Sequence, residues 1–424
     1  MKLVELEEKE FEKFAYKHEQ FSFHQTKEWG KLKSNNGWKS LYLGLKDDKK
    51  IVGGCLILVK STPIKKDIWY SPRGFLIDYH DKKILKEFTD VIKKYAKANN
   101  AFFIKIDPYI LYKERDINGD LVKDGVDNSD IVSNLTKLGY RHYGFNKSTD
   151  KELQPRWIYV LDIDGKSEDE IYKDFSNDTK RYINRCHNFG LITEETTLDN
   201  LDDFRKIMEH TSKRRGFVDR PMSYYKEMLE SLGDHIKIIS CYMDTNKAIN
   251  DVLKNIEESN KEKDKVEEKL KESPDSKKSK TAMKTVMKRI NELQGKLDGI
   301  KKLKDEHGDK ILMASSMFII YPNEVIYLYS GSFDHFMKYN PQYLIQWEII
   351  KYTIKNKIPR YNFYGIDGDF SKDNPMYGVY EFKKGFGGEV IELVGEFDLI
   401  INKFIYNLYK LTFSLYRGIK RHTK

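Results

Sequence analysis

The chain has 424 residues, a net formal charge of +9 and a pI near 8.9, with 39% hydrophobic and 33% charged residues. At about 150 residues per domain the length allows two or three cores, and the mild basic excess admits an anionic partner such as nucleic acid, a membrane surface or a phosphorylated substrate. Three distant cysteines (Cys55, Cys186, Cys241) without a C-x-x-C pair argue against a disulfide framework or zinc site and for a reducing cytoplasm; no run reaches the roughly 20 apolar residues of a spanning helix, and the first residues lack a signal-peptide core.

In chain order, residues 41–45 and 51–60 are β-rich runs around Lys46-Asp47-Asp48-Lys49-Lys50, which predicts a hairpin. A helix over 81–98 and an apolar strand over 101–107 follow. The polar segment Glu152-Leu153-Gln154-Pro155-Arg156 then leads into a strand over 157–163, so the first domain is read as 1–151 and the second as 152–386. A strand over 236–243 precedes a charge-saturated insertion at 246–306. There Val286, Ile290, Leu293, Leu297 and Ile300 alternate steps of four and three, which lays one apolar seam along a helix. Ile249, Leu253, Ile256, Val266 and Leu270 trace a weaker seam, and Pro274 separates the two. The reading is an antiparallel coiled-coil hairpin that projects from the second domain. Residues 276–304 hold ten Lys or Arg against two acids, a net of eight, whereas 246–275 hold seven against nine. Such a rod attracts a polyanion by counterion release. A solvated face that keeps the hairpin soluble, or pairs it with another chain, accounts for the same charges.

Beyond the insertion, strands over 311–320 and 324–330 flank Tyr321-Pro322-Asn323, and a helix over 342–356 leads to a strand over 360–364. Hairpin, helix and strand thus recur in one order, which suggests a duplicated acyltransferase-like unit. Gly385-Phe386-Gly387-Gly388 reads as a tight turn. The segment 387–424 carries a basic amphipathic helix, with Leu399, Phe404, Leu408, Leu411, Phe413 and Leu415 among Lys403, Lys410, Arg417, Lys420 and Arg421. It is expected to pack back on the first domain; an anionic bilayer is the other surface that it fits.

No G-x-x-x-x-G-K-[ST], H-E-x-x-H or G-x-S-x-G appears, so ATP activation, zinc hydrolysis and α/β-hydrolase chemistry are unsupported. An acyltransferase using acetyl coenzyme A is unsupported too, because no Gly-rich or Arg/Gln-rich pyrophosphate loop opens a helix after a strand. His24, His187 and His210 read as ordinary polar or capping residues. What remains is a set of basic and aromatic residues near strand ends.

Taken jointly, Gln25-x-x-x-Trp29-x-x-x-Lys33, Ser71-Pro72-Arg73-Gly74, Lys105-Ile106-Asp107-Pro108, Gln154-Pro155-Arg156, Thr211-x-x-Arg214-x-Gly216-Phe217, Tyr327-x-Tyr329-x-Gly331 and Phe382-Lys383-Lys384-Gly385-Phe386 resemble the FemABX family of transfer-RNA-dependent aminoacyltransferases, which build the interpeptide bridges of peptidoglycan. The arm and the length look most like the branch that adds the first bridge glycine to lipid II. The resemblance implies a mixed α/β (α+β) chain of two GNAT-like domains with the coiled-coil arm inserted in the second and engaging transfer RNA. It implies Lys383 as the catalytic residue and Lys33 and Arg214 as ligands of the substrate phosphates, with Lys213 or Arg215 as alternatives to Arg214. Arg73, Asp107, Thr211 and Tyr329 fall in the substrate cleft. Aminoacyl-tRNA is the co-substrate, with no metal or cofactor, and lipid II or a UDP-linked muropeptide is the acceptor. The implied location is the cytoplasm, at the inner membrane face; whether the chain pairs with itself or with a family paralogue is left open by the sequence. Gly387-Gly388 departs from the family pattern. A non-catalytic scaffold, with the arm as a dimerisation coiled coil, is the competing reading.

Overall fold

The structure, a computed structural model, describes residues 1–422 and the side chains of residues 1–412. Two mixed sheets organise it. In the first, Lys39–Asp47 and Lys50–Ser61 form the predicted antiparallel hairpin, turning at Asp48 with φ 51°. Asp81 caps the helix Lys82–Ala98 by accepting from the amides of Lys83 and Ile84 at 2.8 and 3.0 Å, a contact type that stabilises by about 1 kcal/mol. The helix buries Leu85, Phe88, Ile92 and Ala96 at helical spacing against the sheet, then delivers the chain to Ala101–Ile106, parallel to Asp67–Ser71.

The second sheet repeats the plan. Lys310–Ile320 and Val325–Ser332 pair around a turn closed by the Tyr321 amide donating to the Glu324 carbonyl at 3.0 Å. The helix Pro341–Lys355 opens with proline at a first-turn position, where no amide donor is lost, and leads to Arg360–Gly365, parallel to Val325–Ser332. One face of this sheet, through Ile238, Met317, Ile319 and Ile326, shares a buried core with Phe11, Phe23, Trp29, Leu56 and Leu58 of the first half.

Each sheet also borrows a strand across the boundaries read from sequence, 1–151 and 152–386. Leu111–Glu114 forms the edge of the second sheet beside Glu389–Leu393, and Phe397–Ile400 enters the first sheet between Ala101–Ile106 and Tyr140–His142. The segment 387–424 is therefore two strands followed by a helix, Lys403–His422. Tyr406 is buried against Phe102 and Phe103 and donates to Asp398 at 2.8 Å, so the helix docks on the first sheet. Phe404 (80%), Leu408 (47%) and Leu411 (60%) are exposed. The side chains of Phe413, Leu415, Arg417, Lys420 and Arg421 lie outside those described.

The insertion is a pair of helices, Thr245–Glu272 and Lys277–His307, packed antiparallel and broken at Pro274. Ser276 caps the second helix by accepting from the Ser279 amide at 3.2 Å. The pair leaves and re-enters between neighbouring strands, with the Thr245 amide donating to the Asp309 carbonyl at 3.0 Å. At its base Ala248, Val252, Leu297 and Ile300 are buried together, whereas Leu253, expected in the seam, is 45% exposed. The seam shifts because the base packs on the body: a Cβ at Gly190 would lie 2.8 Å from that of Ala248, so only a small residue fits. Among the described residues no helix is long and apolar enough to cross a membrane.

Candidate active site between the two sheets

The parallel strands Val325–Ser332 and Arg360–Gly365 pair at only two positions, Val325 with Tyr361 and Ile326 with Asn362. Beyond them both strands are irregular, with ladder shifts at Met317/Phe318 opposite the first and at Asn362/Tyr364 in the second, where Tyr364 takes φ 65°. The strands part, and Tyr329 and Tyr364 stand at the parted ends, packed toward the first half.

Lys33 reaches this opening from the helix Lys27–Asn35. Thr26 caps that helix by accepting from the Trp29 amide at 3.2 Å, and the four-residue spacing puts Trp29 and Lys33 on one face. The Lys33 ammonium lies 4.2 Å from the Trp29 ring and donates to the Tyr224 hydroxyl at 3.2 Å. Arg220 stands 5.3 Å over the same Tyr224 ring and hydrogen-bonds the Tyr329 hydroxyl. Among the described residues neither cation forms an ion pair. Burial, then Arg220, draws Lys33 down to about 8 against the opposing pull of Glu227. Two neighbouring cations without a contacting carboxylate repel each other, and a phosphate group bound between them relieves that repulsion.

Beside them, Gln25 pins the turn Ser71-Pro72-Arg73-Gly74, donating to Ser71 Oγ at 3.2 Å and the Pro72 carbonyl at 2.6 Å while accepting from the Leu56 amide at 2.7 Å. Arg73, with φ 55°, donates from its amide to Asp107 Oδ1 at 2.6 Å and from Nη2 to the Pro155 carbonyl at 2.8 Å. Asp107 also accepts from the Tyr70 hydroxyl at 2.8 Å, and burial lifts its carboxyl to about 6 against the lowering by Arg73. The Tyr364 hydroxyl donates to Gln154 at 2.6 Å and hydrogen-bonds Arg73. His24, which reads from sequence as ordinary, is buried next to this group; burial, Arg73 and Lys33 together push it well below its usual value, so it is neutral.

Lys383 meets the Tyr364 backbone. It projects from the helix Tyr377–Lys384, is 5% exposed, and donates to the carbonyls of Gly365 at 2.5 Å and Tyr364 at 3.3 Å. Burial lowers it to about 7. The glycines that follow are a packing turn, as their sequence suggests: Gly388 has φ 98°, and a Cβ there would come 2.1 Å from the Val160 carbonyl oxygen.

Lys33, Arg73, Asp107 and Tyr329 thus gather around the parted strand ends, and Lys383 joins them through the Tyr364 carbonyl. Thr211 and Arg214 do not join them. The Thr211 hydroxyl donates to the Ile207 carbonyl at 2.8 Å and packs on Gly331, where no Cβ fits. Arg214 pairs with Asp334 at 3.1 Å and Lys213 with Glu209 at 2.9 Å, both outside the opening. The cation that faces Lys33 is Arg220, past the end of the helix Leu201–Arg215. Its available signal was an Arg-Pro pair opening a helix that carries Tyr224 and Tyr225.

A model of the FemAB family matches residues 6–413. The chain belongs to the FemAB family. Within that family it is 32% identical over 417 residues to the aminoacyltransferase FemA of Staphylococcus epidermidis, covering 97% of this chain and 98% of that one. It is 34% identical over 426 residues to the aminoacyltransferase FemB of the same species, covering 99% and 100%. A crystal structure of FemX superposes with a TM-score of 0.80 at 27% identity, covering 96% of this chain and 99% of that one. This FemAB-family chain is an aminoacyltransferase with a mixed α/β fold of two sheets.

Proposed function

We propose that this aminoacyltransferase moves an amino acid from aminoacyl-tRNA to the side-chain amine of the stem peptide in a peptidoglycan precursor. The observation that carries this reading is the cluster at the parted strand ends, where Lys33 and Arg220, without an ion pair among the described residues, sit on aromatic rings, Arg220 hydrogen-bonds Tyr329, and the Tyr364 carbonyl holds Lys383. A muropeptide's phosphates suit the two cations, which leaves its peptide directed at the parted strand ends. The donor ester is already activated, so the protein must align the amine with the ester carbonyl and stabilise the oxyanion. Alignment lowers such barriers by roughly 7 to 11 kcal/mol in favourable cases. An oxyanion donor in a buried site contributes about a hundredfold to a thousandfold.

In this reading the Lys383 ammonium is that donor. The Tyr364 and Gly365 carbonyls favour its protonated form and aim it, while burial keeps it close to losing the proton, so it strengthens its interaction when negative charge develops beside it. Arg73, held by Asp107 and Pro155, positions Tyr364. The finer assignment is glycine as the amino acid and lipid II as the acceptor, met from the inner membrane face. It follows the likeness in length and arm to the branch that starts the bridge, with alanine or serine and a UDP-linked acceptor as the alternatives.

The test incubates purified protein with lipid II or UDP-linked muropeptide and transfer RNA charged separately with labelled glycine, serine or alanine, with and without ribonuclease. Ribonuclease-sensitive labelling of one acceptor by one amino acid is the expected result. No transfer of any label by folded protein would transfer the weight to a non-catalytic scaffold.

A further inference from the structure

The carboxy-terminal helix Lys403–His422 turns one face to the first sheet and leaves another bare. Ile405, Tyr406 and Tyr409 pack against Phe102 and Phe103, whereas Phe404, Leu408 and Leu411, spaced by four and three, form an exposed apolar stripe away from that contact. In the sequence the same spacing recurs at Leu415. Single exposed apolar residues are ordinary on a protein surface, but three in register on one helix make a continuous surface that water solvates poorly.

The charge of the segment is a second observation. Residues 403–424 hold six Lys or Arg and no Asp or Glu. Lys410 is matched by Asp398 at 3.6 Å, which leaves five cations with no acid in the segment, and among the described residues Lys403 forms no ion pair. The course of the helix is a third. It starts level with Phe102, whose carbonyl accepts from the Ile401 and Asn402 amides at 3.1 and 3.0 Å, and by Lys410 it has reached Tyr143, with the ammonium 4.4 Å from that ring. The Tyr143 amide donates to the Glu396 carbonyl at 3.1 Å, next to the pairing of Phe397 with Ile106. The helix therefore runs from the far end of the first sheet toward the end where Asp107 and Arg73 meet the parted strands.

We propose that Lys403–His422 lies in the surface of an anionic bilayer, with Phe404, Leu408 and Leu411 among the upper acyl chains and the cations of the segment on lipid phosphates, and that it holds the site end of the first sheet at the membrane. An apolar stripe flanked by cations is what such a surface takes up, and one face of the helix stays docked on the protein. A second copy of the chain is a poorer occupant, because it brings the same positive charges against these. RNA offers the cations phosphates but the stripe no apolar surface. The inference rests on the membrane-held acceptor of the proposed function and adds the surface by which the chain meets it.

The test sediments the full chain with vesicles of phosphatidylcholine, with or without added phosphatidylglycerol, beside transfer to lipid II in the same vesicles and to soluble UDP-linked muropeptide. The double variant Phe404→Asp, Leu411→Asp, at two exposed positions, is expected to lower the partition onto anionic vesicles about tenfold or more and to raise the KM for vesicle-borne lipid II, with the KM for the soluble acceptor unchanged. Neutral vesicles and added salt are each expected to give weaker wild-type binding. A polarity-sensitive dye on Leu408→Cys, for which the buried native cysteines do not compete, is expected to report an apolar environment on anionic vesicles. Unchanged vesicle binding by the folded double variant, or a wild type that transfers to lipid II in detergent yet ignores anionic vesicles, overturns the surface and leaves the transferase reading standing. Vesicle binding that the variant loses, with no transfer by the wild type to either acceptor, ends the transferase reading and supports the helix as a membrane contact. Self-association that the variant loses, without vesicle binding, assigns the stripe to a second copy and overturns the proposal.

Discussion

Replacing Lys383 with methionine keeps length and removes charge, which separates the residue's chemistry from its packing. Its fall from 10.5 to about 7 corresponds to about 5 kcal/mol spent in holding an ammonium at that site. An unfolded lysine keeps its proton to about pH 10.4, whereas the folded one releases it above about 7, so between these limits the unfolded state binds more protons. Stability of the wild type therefore rises with pH across that window by up to about 1.4 kcal/mol per unit from this group, and the contribution is absent below about pH 7. Lys383→Met abolishes the rise and is more stable than the wild type at pH 7. Its turnover is expected to fall at least a hundredfold, about 3 kcal/mol of barrier. Urea unfolding followed by circular dichroism at pH 7, 8 and 9, beside single-turnover transfer, measures both effects. Parallel stability curves for the two proteins would refute the burial argument, and near-normal turnover in folded Lys383→Met would remove the residue from the mechanism.

Arg220→Ala and Lys33→Ala should each raise the acceptor KM roughly tenfold to a hundredfold, the loss of about 1.5–3 kcal/mol from a charged hydrogen bond, while Arg214→Ala leaves it near the wild-type value; steady-state kinetics with varied acceptor decides. Asp107, lifted to about 6, binds its proton more tightly in the folded state, so its contribution to stability grows as pH falls from about 6 to 4; Asp107→Asn should erase that increment in acid titration followed by fluorescence. Excision of residues 246–306 with a short bridge should leave the sheets folded, because the ends already meet at Thr245 and Asp309. It should raise the transfer RNA concentration for half-maximal rate about tenfold or more and leave the acceptor requirement unchanged, whereas an unaltered transfer RNA requirement would make the arm a partner-binding element.

Elements with local signals were legible in the sequence. The charged turn at Lys46–Lys50 and the Tyr321-Pro322-Asn323 break each lie within a few residues of the structure they determine, and the strands and helices around them emerged within a residue or two. Phe397–Ile400 was not legible as a strand of the first sheet, because its partners are Ala101–Ile106 and Tyr140–His142 and nothing near it in sequence names them. The same distinction holds for the site. Lys33 sits four residues from Trp29 on a helix, a spacing visible as a motif, whereas Arg220 meets Lys33 only through Tyr224, which belongs to the other half of the chain. Thr211 and Arg214 lie in the helix Leu201–Arg215, where Thr211 packs on Gly331 and Arg214 pairs with Asp334, contacts no single segment reveals.

The strand exchange between the sheets also sets a timetable for biosynthesis. His142 leaves the ribosome long before its ladder partner Phe397, and at about 5–20 residues per second the delay is roughly 10 to 50 s. Throughout it the backbone edge of Ala101–Ile106 stands open, a template for any other extended chain until the proper strand arrives. A nascent chain of this protein is thus a natural client for chaperones. Neither half can be expressed alone without a vacant strand position, and a truncation before residue 397 would damage the amino-terminal sheet that it never touches in sequence.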